Sequence, residues 1–414
     1  MGKVEAGAPR ERRYYKRVRW IGATTSWGVG LLVSLSLPFV PQSQSPPGAA
    51  RPAAAPTPPA PTDLYDETWN VPVEVDRPIH LAATTHAVFV SGSSRVLALS
   101  LEDHHELWQW RPSEPNTITA LAADDDHVLV GSSVALQSLD PAAGKVQWTT
   151  PQTGAVDEIV YRAAWVITTA GSALGAFRAA DGSVVWQETF GSAVVGAPAI
   201  DGDAVFVVLT DGKLLRLSIL SGEITWTKQL DGRSSPPFAA NDRVYVSLSD
   251  GHFEAFHQQN GHLLWWYQFS GPSIGAAISD TKHVYVALKD NTIRALDRYL
   301  GNQRWQAQLT ERPASGPLLT ADDVLLPSEN GEIGMAERKD GHVVARIAPP
   351  PVPADVPGVR PYLVAVATAP GDVILRLVAN YVGDTTLTLA AYHRAPPKEK
   401  KKTPTTGPNP RDLR

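Results

Sequence analysis

Between residues 62 and 394 hydrophobic and polar side chains alternate in short runs, and each run ends at Gly, Asp, Asn, Ser or Pro. One stretch shows the grammar: Pro198-Ala199-Ile200, then Ala204 to Leu209, Asp211-Gly212, Leu214 to Ile219, Ser221-Gly222 and Ile224 to Thr227. Alternation over four to eight residues is the strand period, and no part of this region carries the period of a helix. Each such stretch predicts four short antiparallel strands.

The stretch repeats. Trp108, Trp148, Trp186, Trp226, Trp265 and Trp305 follow one another at intervals of 40, 38, 40, 39 and 40 residues, and Ala345 stands after a further 40. Four residues before each slot after the first is a glycine: Gly144, Gly182, Gly222, Gly261, Gly301 and Gly341. Only the first repeat departs, with His104 in that place. A period near 40 with four strands per unit is the signature of a β-propeller blade.

Blades counted from their first strands begin near Ile79, Ile118, Val156, Val194, Ser234, Ser273, Ala314 and Pro361. The eighth lacks a fourth strand, while Thr68-Trp69-Asn70-Val71 lies in phase with the series and has no three strands before it. The expectation is an all-β, eight-bladed propeller of four-stranded antiparallel blades, closed by the N-terminal strand, so that no sheet edge is left open at the junction. Runs such as Gly196-Ala197-Pro198-Ala199 and Gly275-Ala276-Ala277 suit a narrow inner ring. A Trp in each outer strand suits a ring lying flat on a neighbouring turn, where only glycine leaves room.

Charge and composition change the picture at both ends. Residues 1–20 carry seven basic and two acidic side chains, residues 21–60 only Arg51, and residues 395–414 six basic and two acidic. With the whole chain at −5, about −15 is left on residues 61–394, which would repel a phosphate backbone and excludes nucleic acid as an expected partner. The basic segment 1–19 precedes 21 uncharged residues, 20–40, long enough to cross a bilayer with the basic side in the cytoplasm. We read residues 20–40 as a transmembrane anchor or export signal, favouring an uncleaved anchor, with Ser43-Gln44-Ser45 or Gly48-Ala49-Ala50 as the cleavage alternatives. Residues 41–61 read as a Pro/Ala-rich linker, and at about 3.1 Å per residue it reaches about 60 Å from the membrane. Residues 395–414, with Lys398 and Lys400 to Lys402, read as a basic disordered tail. The expected location is the periplasm, with the propeller tethered to the inner membrane, or free there if the segment is cleaved.

The chain has no cysteine, which removes disulfides, thiolate zinc sites, thiol nucleophiles, haem attachment and a lipid-bearing N-terminal cysteine. Asp124-Asp125-Asp126 is the densest acidic cluster, but it sits where other repeats carry Asp201-Gly202-Asp203, Asn241-Asp242 and Asp322-Asp323. These read as turn residues and not as a calcium site. His104 and His105 are adjacent, a spacing that rarely aims two rings at one metal, and there is no Gly-x-Ser-x-Gly elbow or phosphate loop. No catalytic, cofactor-binding or metal residue is nominated, and no cofactor is expected.

Ala295-Leu296-Asp297-Arg298-Tyr299-Leu300-Gly301-Asn302-Gln303-Arg304-Trp305 resembles the tryptophan-docking motif of PQQ-like (pyrroloquinoline-quinone-type) propeller repeats, Ala-x-Asp-x-x-Thr-Gly-x-x-x-Trp. The resemblance spans residues 64–394. Gly and Trp recur well, the Asp only at Asp140 and Asp297, and the Ala at Ala98, Ala176, Ala255 and Ala295. One branch of the family is the quinoprotein dehydrogenases, which bind the quinone and calcium above the ring. The other is the BamB-type scaffold of outer-membrane β-barrel assembly. Short blades leave no room for the insertions that build the cofactor chamber, so the chain is more similar to the scaffold branch, and a PQQ-dependent alcohol or sugar dehydrogenase is the alternative. The resemblance implies a monomeric ring whose partners are envelope proteins. Trp69, Trp108, Trp148, Trp186, Trp226, Trp265 and Trp305 are then structural docking residues, whereas Trp110 and Trp266, next to docking rings, sit in a second environment. Packing between blades is the reading for these two, with a partner anchor as the alternative.

Overall fold

The computed structural model describes residues 64–113, 116–351, 360–381 and 384–395. The basic segment, the anchor, the linker and the tail beyond Ala395 lie outside the described residues. Every strand belongs to one of eight four-stranded sheets, each an antiparallel meander, and the described residues contain no helix, hence none long and apolar enough to cross a membrane. The all-β, eight-bladed architecture read from the periodicity is the one present.

Blades 1 to 7 occupy residues 80–110, 118–151, 158–189, 199–229, 238–268, 278–308 and 318–347. Blade 8 takes Tyr362–Ala369, Val373–Ala379 and Thr386–Arg394 from the C-terminal side and its outermost strand, Tyr65–Glu74, from the N-terminal side. That outer strand pairs antiparallel with Thr386–Arg394, from Tyr65 opposite Arg394 to Glu74 opposite Thr386.

The first strands of blades 4 to 7 are shorter than the alternation implies. In blade 4 Val194 bridges Leu209, the backbone then leaves the ladder, and pairing resumes at Ala199–Asp201. The small-residue runs explain the break. A Cβ on Gly196 would meet the Pro236 ring of blade 5 at 2.6 Å, and one on Gly275 would meet the Gly316 nitrogen of blade 7 at 2.4 Å. Inner segments of successive blades approach too closely there for side chains or a regular pleat.

The core is distributed between blades. Eight hydrophobic clusters each join two neighbours, including one between blade 8 and blade 1 that holds Leu375, Leu377, Val88 and Val90. Second strands serve two clusters at once. In Ala204–Val208, Ala204, Phe206 and Val208 face blade 5 while Val205 and Val207 face blade 3. A strand buried on both faces must be apolar throughout, which is why these five residues break the alternation seen elsewhere.

Candidate interaction surface

The outer strand of each blade is an edge, and its tryptophan decides how it meets the next blade. Trp108, Trp148, Trp186, Trp226, Trp265 and Trp305 lie against Gly144, Gly182, Gly222, Gly261, Gly301 and Gly341, the glycines of the following repeat; a Cβ on any of these would come within 3.0 Å of the ring. The indole N–H then donates to a carbonyl in the same turn: Trp108 to Pro141, Trp148 to Ala179, Trp186 to Ile219, Trp226 to Gln258, Trp265 to Arg298 and Trp305 to Arg338, at 2.7 to 3.2 Å. Trp69 does the same to Leu101 of blade 1 at 3.0 Å.

The two irregular slots have geometric reasons. His104 stands where Trp69 docks and takes the glycine's left-handed backbone, with φ of 57°, its ring 5.7 Å from the indole. At the seam of blades 7 and 8, Ala345 replaces the indole, and there is no turn for one to lie on. Where blade 8 would turn from its third to its fourth strand, the chain instead leaves at Ala395 and enters at Leu64, joined by a 2.8 Å bond from the Ala395 N–H to the Leu64 carbonyl. Leu64 and Tyr65 pack against that seam's cluster.

Trp110 and Trp266 separate. Trp110 is half-buried against the cluster of blades 1 and 2. Trp266 is 56% exposed, and its ring neighbour is His252 at 5.3 Å, so it does not pack between blades. Leu263 and Leu264 of the same outer strand, Leu263–Gln268 in blade 5, are also exposed. Native edge strands are usually guarded by charge or proline. This one presents two leucines and a tryptophan instead.

A second feature is an open groove of about 1080 Å³ over the first-to-second and third-to-fourth strand turns of blades 8, 1 and 2. Glu102, Asp125, Asp126 and Asp140 make it acidic. The carboxylates are engaged in turns and do not converge: Asp125 accepts from the N–H and hydroxyl of Thr85 in blade 1, both at 2.8 Å, and Asp124 accepts from the N–H groups of Asp126 and His127. The Thr85 bonds hold the Asp125 carboxyl below the usual range. Among the described residues no three His, Asp or Glu side chains are grouped to hold a metal. His105 accordingly bonds Asp103 at 2.5 Å, while His104 serves the Trp69 dock.

A PQQ-repeat family model described as outer membrane protein assembly factor BamB matches residues 154–236 and 229–350. No curated protein sequence matches the chain. Among solved structures, BamB from Moraxella catarrhalis is 14% identical with a TM-score of 0.61, over 80% of this chain and 99% of its own. The computationally designed Ika8 protein is 14% identical with a TM-score of 0.62 over 77% and 99%, and the C-terminal WD40 domain of Sif2 is 12% identical with a TM-score of 0.63 over 80% and 99%. At such identities the solved structures speak for the ring alone, and the repeat match supplies the kind of blade. The chain forms an eight-bladed β-propeller similar to that of BamB, and over residues 154–350 its blades match the PQQ-type repeat.

Proposed function

We propose that this protein is a non-enzymatic interaction scaffold of the bacterial envelope, engaged in outer-membrane protein assembly, with its propeller outside the cytoplasm and a membrane tether through residues 20–40. The observation that carries the reading is the exposed Leu263-Leu264 and Trp266 strip on an outer edge strand. Such an edge offers unpaired backbone groups for strand addition and large apolar side chains for specificity. An indole buries 150–250 Å² when covered, so 56% exposure leaves about 100 Å², worth about 2.5 kcal/mol at an interface. That is the size of a binding hot spot. The repeat match to the assembly-factor family supports the same reading.

A photo-cross-linking amino acid at position 266, incorporated in cells, tests it against one at Gln187, the matching exposed polar position of blade 3. Cross-links to envelope proteins from 266 and few from 187 support the scaffold. Equal yields refute the strip as the contact. Saturable, calcium-dependent quenching of tryptophan fluorescence by pyrroloquinoline quinone, with turnover of an alcohol or sugar, would replace the scaffold by the dehydrogenase. Protease access to the propeller in spheroplasts, but not in intact cells, checks the compartment.

A further inference from the structure

Three positions match at an offset of 40 across two neighbouring seams, and two of them keep their residue. Between blades 6 and 7, Asp280 sits in the first-to-second strand turn and its Oδ2 accepts from the Tyr285 hydroxyl at 2.7 Å and from Arg338 Nε and Nη2 at 3.2 and 2.9 Å. Arg338 Nη1 donates to the Ala321 carbonyl at 2.7 Å. Every polar atom of that trio has a partner. Between blades 5 and 6 the matching residues are Ala240, Tyr245 and Arg298. The hydroxyl and the guanidinium are retained; the carboxylate is gone.

What it leaves behind is visible. Tyr245 is fully buried and its hydroxyl has no hydrogen-bond partner. Arg298 is 5% exposed, and among the described residues it forms no ion pair and its Nε and Nη1 are without partners; Nη2 donates to the Tyr299 hydroxyl. Arg243 is also buried, and its charge is met by Asp242 alone. The Arg243 and Arg298 guanidinium carbons each lie 4.6 Å from the Tyr299 ring centre, so the two cations are gathered under one half-exposed aromatic ring. One more seam along, between blades 4 and 5, the acid returns as Asp201, which accepts from Gln258 at 2.8 Å. The acid is missing at the one of these three seams where two arginines gather.

A buried guanidinium without a counter-charge is costly, and natural interiors supply the partner. Here no described residue supplies it. We propose that the seam of blades 5 and 6 is a binding site for a carboxylate group from outside the chain, held by Arg298 and the Tyr245 hydroxyl and covered by Tyr299. The chemistry favours a carboxylate over a tetrahedral oxyanion, because the place left empty is that of an aspartate side chain whose two donors in the sister seam meet one planar carboxylate. The inference does not depend on the scaffold reading.

The test uses the full chain and sodium acetate, with sodium chloride at matched ionic strength as reference, read by calorimetry and by the thermal midpoint. The wild type binds one acetate with a millimolar dissociation constant. Ala240→Asp supplies the missing group from within: it melts higher in chloride and binds acetate at least tenfold more weakly. Arg298→Met loses the response as well, and should it fail to fold, Ala240→Asp alone decides the matter. A second arm replaces acetate by a blocked tripeptide with a central Asp: binding of both means that the site takes a polypeptide's acid, binding of acetate alone that it takes a small free acid. Absence of an acetate-specific response in the wild type, an unchanged response in Ala240→Asp, or binding of phosphate without acetate would each overturn the proposal.

Discussion

Gly301→Ala measures what one tryptophan dock contributes. Gly301 has φ of 73°, and a Cβ there would stand 2.5 Å from Trp265 Cδ2 and 2.6 Å from Cε3. The ring cannot simply tilt away, since its N–H is tied to the Arg298 carbonyl at 3.0 Å and it is buried. Two costs add: about 1–2 kcal/mol for an L side chain in the left-handed region and about 1–3 kcal/mol for overpacking. Gly202→Ala separates them. Gly202 has φ of 58° with nothing within 4 Å of its Cβ position, so only the backbone cost of about 1–2 kcal/mol applies. Urea unfolding of the full chain, followed by far-ultraviolet circular dichroism because indole fluorescence is itself perturbed, should place Gly301→Ala about 1–3 kcal/mol below Gly202→Ala. In a Trp265→Ala background the excess should vanish. Equal costs at the two glycines, or an excess that survives removal of Trp265, would refute the docking account.

Burial raises the Asp280 carboxyl, but the His283 N–H, the Tyr285 hydroxyl, the Lys282 N–H and Arg338 outweigh it and hold the group at about 2. Since the folded value lies below the unfolded one, its contribution is complete above pH about 4 and lost as pH falls through about 2; Asp280→Asn should lower the melting temperature at neutral pH and flatten that acid limb. Asp323, fully buried with Oδ1 unpartnered, is shifted the other way by burial despite Arg394 nearby. Its native form holds the proton longer than the unfolded chain does, so stability falls as pH rises from the ordinary carboxylate value through the raised one. Asp323→Asn should remove that fall and melt higher at neutral pH. Trp266→Ser, at an exposed site, should change stability by no more than about 0.5 kcal/mol while abolishing cross-linking from its strand.

The ring was legible in the sequence because a period of 40 forces itself on the tryptophans and glycines together. Three things were not. Each indole lies on the glycine of the following repeat, not on the one four residues before it in its own, and only the ring geometry makes that choice. Ala345 reads as a lapse in the series, yet it marks the seam where Leu64 and Ala395, at the ends of two separate strands, stand in place of a turn. Trp266 was not told from Trp110, since the strand's period of two gives only the face: Trp110, two residues from Trp108, shares the docking face, while Trp266 adjoins Trp265 and takes the opposite one, whose exposure only the structure shows. Ala240 was legible in principle: Asp201 and Asp280 bracket it, and the substitution of a small apolar residue in a polar turn is visible once repeats are aligned. The signal there is an acid withheld, which a cluster of acids does not reveal.

Eight small cores arranged between neighbours, with none at the centre, mean that the ring works like a necklace with eight clasps. Losing one clasp leaves seven intact and an open arc whose two ends are complementary apolar faces. The seam of blades 7 and 8 is the one without an indole across it, and it borders the blade in which the N-terminal strand closes the ring. An arc opened there shows Leu325, Ile333 and Met335 on one end and Ile374 and Ala390 on the other. Those faces fit each other, or the opposite faces of a second opened copy, so the same contact that makes the monomer would link two arcs into a larger exchanged ring.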